Sequence, residues 1–122
     1  MDERQVVKQL KEEFSGKKIV RLPDENPTEI VCEIEPTEDH IDHSVAIAII
    51  DRSEPHYHKK SVETYHIEKG RLTLHYGDEM KVLEEGDRFV VEPPVVHWAE
   101  GNAARVRVES RPGWTVEDHI LT

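Results

Sequence analysis

Cysteine is almost missing from this chain of 122 residues: Cys32 is the only one, so no internal disulfide can form. A disulfide-stapled fold and a Cys-x-x-Cys redox or zinc motif are both excluded. Aromatic residues are scarce at 6%, and no apolar run approaches the roughly 20 residues of a transmembrane helix. Positive charge is also in short supply. Sixteen Lys and Arg stand against 26 Asp and Glu, a formal net charge of −10. Nucleic acid needs a basic footprint and an anionic membrane attracts basic clusters, so neither is an expected partner. No signal peptide is apparent, and the lone cysteine agrees with a reducing, cytoplasmic setting. A Ser-His-Asp set and a Gly-rich phosphate loop are missing too.

What remains is enough for one domain over residues 1–122. Residues 1–16 read as a helix, because Val6, Val7, Leu10 and Phe14 recur at helical spacing. Asp2 and Gln5 sit close to a capping box, and Gly16 fits a C-terminal stop. The apolar stripe is expected to dock on the rest of the domain or on a second copy. Residues 17–122 are strand-like, with candidates at 18–22, 30–35, 45–50, 71–76, 80–83, 88–92, 95–99 and 105–109. Short strands at regular spacing with Gly and Pro between them indicate an all-β sandwich or barrel. The 45–50 run is nearly all apolar, as in a strand covered on both faces.

The chemistry concentrates in histidine. His56 and His58 lie two apart, so in a strand both imidazoles point the same way. Glu63 follows five residues on and His97 far downstream, which makes a candidate ligand set of three imidazoles and one carboxylate. Imidazole suits Zn, Cu, Fe and Ni, and the carboxylate also admits Mn. Octahedral Fe, Mn or Ni would leave two positions for water or substrate, whereas a tetrahedral Zn holding all four ligands would be closed.

A two-residue Gly70-Arg71 turn, with Gly first, predicts a hairpin that pairs Ile67 with Leu74 and Tyr65 with Tyr76. Its register turns Glu63, Tyr65 and Ile67 to one inner face and His66 and His75 to the outer one. Tyr65 and Tyr76 are then the candidate catalytic groups, each able to orient or protonate a bound ligand. His40, His43 and His119 fall in polar, exposed segments. Trp98 should point away from its neighbour His97, and Trp114 should cap the barrel or a dimer contact.

The motif spacing resembles the cupin family. Its first motif, His-x-His, a spacer, Glu and then Gly, is matched by His56, His58, Glu63 and Gly70. The second is matched by Gly86, Pro93 and His97, with the His eleven positions after the Gly. Ile50, Glu92, Pro94 and Gly101 depart from the family pattern at turn positions, and all four ligand positions are filled. The stretch from Arg111 to His119 also resembles the ends of small sugar-related cupins of the mannose-6-phosphate-isomerase-like kind.

The resemblance implies an antiparallel β-barrel, or jelly roll, behind the short N-terminal helix. It implies one divalent transition metal (Fe, Mn, Ni or Zn) and a small-molecule ligand. The expected function is a small metal-dependent enzyme, an isomerase or dioxygenase, acting on a sugar or a keto/enol acid. The alternative is a non-catalytic, metal-stabilised binding module. Family resemblance, the first helix and the apolar 45–50 strand together suggest a homodimer.

Overall fold

The computed structural model describes residues 1–122. Helix α1 (Glu3–Glu13) is capped at its start by Asp2, whose carboxylate accepts from Gln5 N at 3.2 Å. It is shorter than the expected 1–16. Its last hydrogen bond runs from Phe14 N to Leu10 O, and the chain then turns through Gly16 at positive φ. Strands β1 (Lys18–Leu22), β2 (Glu29–Glu35) and β3 (Ser44–Arg52) form an antiparallel meander. The short β4 (His56–Tyr57) precedes β5 (Val62–Lys69), β6 (Leu72–Tyr76), β7 (Glu79–Leu83) and β8 (Arg88–Val91). Strand β9 (His97–Arg111) follows, then a 3₁₀ turn (Val116–Asp118) and β10 (Ile120–Leu121).

All strands belong to one curled antiparallel sheet, a β-barrel with β9 as its spine. The two separate strands expected at 95–99 and 105–109 are this single strand of 15 residues. Its first half pairs with β6 and β4, and its second half pairs with β3 on one side and β5 on the other.

The Gly70-Arg71 hairpin does not form. β5 and β6 both lie antiparallel to β9, at Arg105–Arg111 and His97–Gly101, and not against each other. Gly70, at φ +82°, therefore breaks one long edge into two strands instead of reversing the chain. The reversal comes one strand later, where Tyr76 pairs with Glu79 across Gly77-Asp78. The face assignment survives because it depends on the period-two alternation alone: Glu63, Tyr65 and Ile67 are buried, and His66 and Lys69 are not.

Two apolar clusters hold the fold together. Inside the barrel, Ala48 and Ile50 of β3 meet Tyr65, Ile67, Leu72 and Leu74. On the outside of the same strand, Ile47 and Ile49 join Ile30 and Cys32 beneath Val7 and Leu10 of α1. That explains the continuous apolar run in β3, since one face lines the barrel and the other carries the helix. Both surfaces expected to pair two copies, the helix stripe and this strand, are thus covered within one chain. No helix is long and apolar enough to cross a membrane.

Candidate metal centre

His56 and His97 are brought together by backbone pairing, as the one register contact between β4 and β9. Glu63 enters from β5, which lies along β9, and His58 sits just past the end of β4. All four side chains are buried: His97 is 0% exposed, His58 1%, and His56 and Glu63 5%. One ligand-type atom from each lies within 4.8 Å of the others.

Three backbone carbonyls orient the imidazoles. His56 Nδ1 bonds Glu54 O at 2.8 Å, His58 Nδ1 bonds Asp118 O at 2.8 Å, and His97 Nδ1 bonds Val95 O at 3.0 Å. A carbonyl only accepts, so each Nδ1 carries the proton and each Nε2 keeps its lone pair. His58 Nε2 lies 3.0 Å from Glu63 Oε1, and His97 Nε2 lies 3.7 Å from the same oxygen. Both nitrogens are fully buried and without a hydrogen-bond partner. Buried polar atoms left in this way carry a desolvation cost unless something engages them. Converging imidazole lone pairs beside a carboxylate, with each other ring nitrogen tied to the backbone, fit a divalent transition metal.

The electrostatics of Glu63 and His56 agree with this, and His58 runs the other way because the Glu63 carboxylate beside it favours a proton. Burial pushes the Glu63 carboxyl up, but His58 and His97 outweigh it and hold it well below the usual carboxylate range. Burial pushes His58 down, and contact with Glu63 reverses this, leaving it above its ordinary value. Burial, then the neighbouring His97 and His119, drops His56 to about 3, so it is a neutral ligand-ready imidazole at neutral pH.

The cluster borders a cavity of about 80 Å³ in the barrel, which His56, Glu63 and Tyr65 help to line. Tyr65 is 6% exposed, and no protein hydrogen bond uses its hydroxyl. Burial, then the charges of Glu63 and Glu29, raises it far above the usual tyrosine range, so it stays a phenol and a donor. Tyr76 is not brought to this cavity. Its ring sits edge-on to Phe89 at 5.1 Å, and its hydroxyl accepts from Glu92 N at 3.0 Å. His66 and His75 lie outside the cluster, as the period-two alternation predicts; His75 stacks on Trp98 at 3.8 Å and bonds Glu100.

Several residues of the site escape sequence reading. His119, expected in an exposed segment, lines the cavity and stacks on His56 with ring centroids 4.0 Å apart. Trp114 Nε1 donates to His119 Nδ1 at 3.2 Å, so the His119 proton sits on Nε2. Asp118 gathers the backbone N–H groups of Lys59, Lys60 and Ser61 and fixes the loop that carries His58. Ser110 Oγ donates to Glu63 Oε2 at 3.3 Å. Glu29 also lines the cavity, where burial and then the charge of Glu63 raise it to about 7. Only the resemblance of the tail to sugar-related relatives drew attention to residues 111–119, and it gave no position within the site.

A model of the cupin domain matches residues 43–110, the span that carries all four cluster residues. The chain belongs to the cupin family. No curated protein sequence matches it. Among solved structures, this cupin resembles Streptomyces PAC13 with uridine at 13% identity, over 90% of this chain and 86% of that one, with a TM-score of 0.73. Pac13 is described as a nucleoside dehydratase. KdgF from Halomonas sp. is 19% identical over 80% of this chain and 89% of that one, with a TM-score of 0.67. Bacillus subtilis oxalate decarboxylase, with Mn(II) centres, is 15% identical over 88% of this chain and 31% of that one, with a TM-score of 0.73. At such identities the likeness bears on the fold alone.

Proposed function

We propose that this cupin is a small metal-dependent enzyme acting on an oxygen-rich metabolite, a sugar or a keto/enol acid, by isomerase- or dioxygenase-type chemistry. The observation that carries the reading is the buried cluster with unpaired Nε2 atoms beside a cavity lined by polar groups. His56, His58, Glu63 and His97 would hold one Fe, Mn, Ni or Zn ion. When bound, that metal supplies a Lewis acid for a carbonyl or hydroxyl oxygen. Tyr65 would donate to a ligand oxygen from the cavity wall, and His119 would donate through Nε2–H. Tyr76 would act one step back, since it does not line the cavity. Function belongs to the site and not to the fold, and a cavity next to the cluster supports catalysis over a purely metal-stabilised binding module.

The reading extends to a cytoplasmic, single-domain protein working as a homodimer, supported by the single buried Cys32 and by the prevalence of twofold assemblies. The deciding experiment is metal analysis of protein purified without added metal, followed by turnover screens of sugars and keto acids with and without that metal. Close to one transition metal per chain and metal-dependent turnover are expected. Metal-free protein, or metal that leaves every substrate untouched, would overturn the enzyme reading.

A further inference from the structure

Strand β2 alternates Glu29, Val31, Glu33 and Glu35 with Ile30, Cys32 and Ile34. The apolar set is taken up by helix α1, with Ile30 and Cys32 0% exposed beneath it. The other set, Glu29, Val31 and Glu33, therefore faces inward and lines the cavity beside the candidate metal cluster, while Glu35, past a register shift, lies at the cavity rim with its side chain 52% exposed. Neither Glu29 nor Glu33 has an ion-pair partner, and Glu35 has only His43 at 3.9 Å. No Lys or Arg lines this cavity, so the metal ion of the proposed reading would be its one cationic group, set against the carboxylates of β2 and Glu63. The two guanidinium groups of the adjoining hollow are engaged elsewhere: Arg21 with Glu3 at 2.8 Å, and Arg52 over the Trp98 ring at 4.5 Å.

Tyr65 is an independent sign of a ligand: the side chain is nine-tenths buried on the wall of the same cavity, and its hydroxyl makes no protein hydrogen bond. Ionised carboxylates such as Glu33 are acceptors only and repel an anion at short range, while hydroxyl groups on a ligand can donate to them; Glu29, raised to about 7, carries only part of this charge at neutral pH. Tyr65 and His119 supply the opposite polarity, as donors to a ligand oxygen. Trp114 adds an apolar ring to the lining.

Building on the metal-centre reading, we infer that the cavity selects an uncharged, hydroxyl-bearing small molecule and rejects a carboxylate or phosphate ester. Of the two substrate classes proposed above, this favours the neutral sugar or hydroxy-carbonyl over the keto acid. The acidic strand is the discriminating element, acting by repulsion as much as by attraction.

The test uses the protein as purified, with its metal content measured, and two pairs of probes matched in size: hydroxyacetone with pyruvate, and galactose with galacturonate. Calorimetry or ligand-observed NMR should show each neutral probe binding about tenfold or more tightly than its acid. The double substitution Glu33→Gln/Glu35→Gln removes two charges while keeping size and strand. It should leave the melting temperature in place and reduce the preference to a few-fold at most. Metal-loaded protein that binds the acids as well as the neutral probes, or that binds neither neutral probe, overturns the inference. So does an unchanged preference in the double variant. Protein that proves metal-free yet keeps the neutral preference supports the inference while it counts against the metal centre, so the two failures are separable.

Discussion

At His56, His58 and His97 the same device recurs: Nδ1 bound to a carbonyl, Nε2 turned to the common point. Replacing His58 or Glu63 with Ala should remove most of the metal, measured as metal per chain after gel filtration. The double change His66→Ala/His75→Ala should leave it unaltered, because those rings lie outside the cluster. The reverse pattern would mean that the ligand set is wrong. Tyr65→Phe keeps the ring and its packing and deletes one cavity-facing donor. With metal content and fold unchanged, it should lower kcat on any substrate found, and Tyr76→Phe should cost less because Tyr76 does not line the cavity. Full kcat in Tyr65→Phe would move the proton transfer elsewhere. Asp118→Ala strips acceptors from three consecutive N–H groups. Hydrogen bonds to a charged group contribute about 1.5–3 kcal/mol, so a loss of that order is expected, read by denaturant unfolding.

Among the elements, α1 acts as the outer wall of the β2–β3 sheet. Leu10 is 1% exposed there, and Leu10→Ala should cost about 2–5 kcal/mol in chemical denaturation. A loss below 1 kcal/mol would show that the helix is loosely held. Gly101 in β9 is a tighter case. A Cβ there would lie 2.9 Å from Ala104 Cβ, 3.0 Å from Ile50 O and 3.2 Å from Arg71 O. Two of these neighbours are backbone carbonyls and cannot swing aside, so Gly101→Ala should destabilise by about 1–3 kcal/mol through overpacking. The helix and most strands were legible because 3.6- and two-residue periods are local properties. The Gly70-Arg71 reversal was misread because turn chemistry constrains φ and not which partner a strand finds: β9 offered both strands a longer edge than they offered each other.

For the whole molecule, a metal that binds only the folded chain adds RT ln(1 + [L]/Kd), about 2.7 kcal/mol at a hundredfold excess over Kd. Chelation should therefore lower the melting temperature by several degrees. No shift after confirmed metal loss would mean that the barrel needs no ion. Light scattering should report a dimer, and a monomer mass across a wide concentration range would refute that. With α1 and β3 already covered, such a dimer must use other surface, where β7 offers Met80 and Val82, two apart and both exposed.

By itself the sequence determined the family, the β architecture, the helix and the four residues that converge in the buried His56/His58/Glu63/His97 cluster, because each rests on spacing along the chain. Only the tertiary structure decided which face of β2 is inside. Alternation tells that Glu29 and Glu33 share a side, and ordinary expectation turns charge outward. Here α1 buries the apolar side from without, so the acidic side is left to line the cavity. The same holds for His119, whose place against His56 depends on a tail more than fifty residues downstream folding back so that β10 pairs with β4. Contacts between distant segments are fixed by the closure of the barrel, and no local period records them.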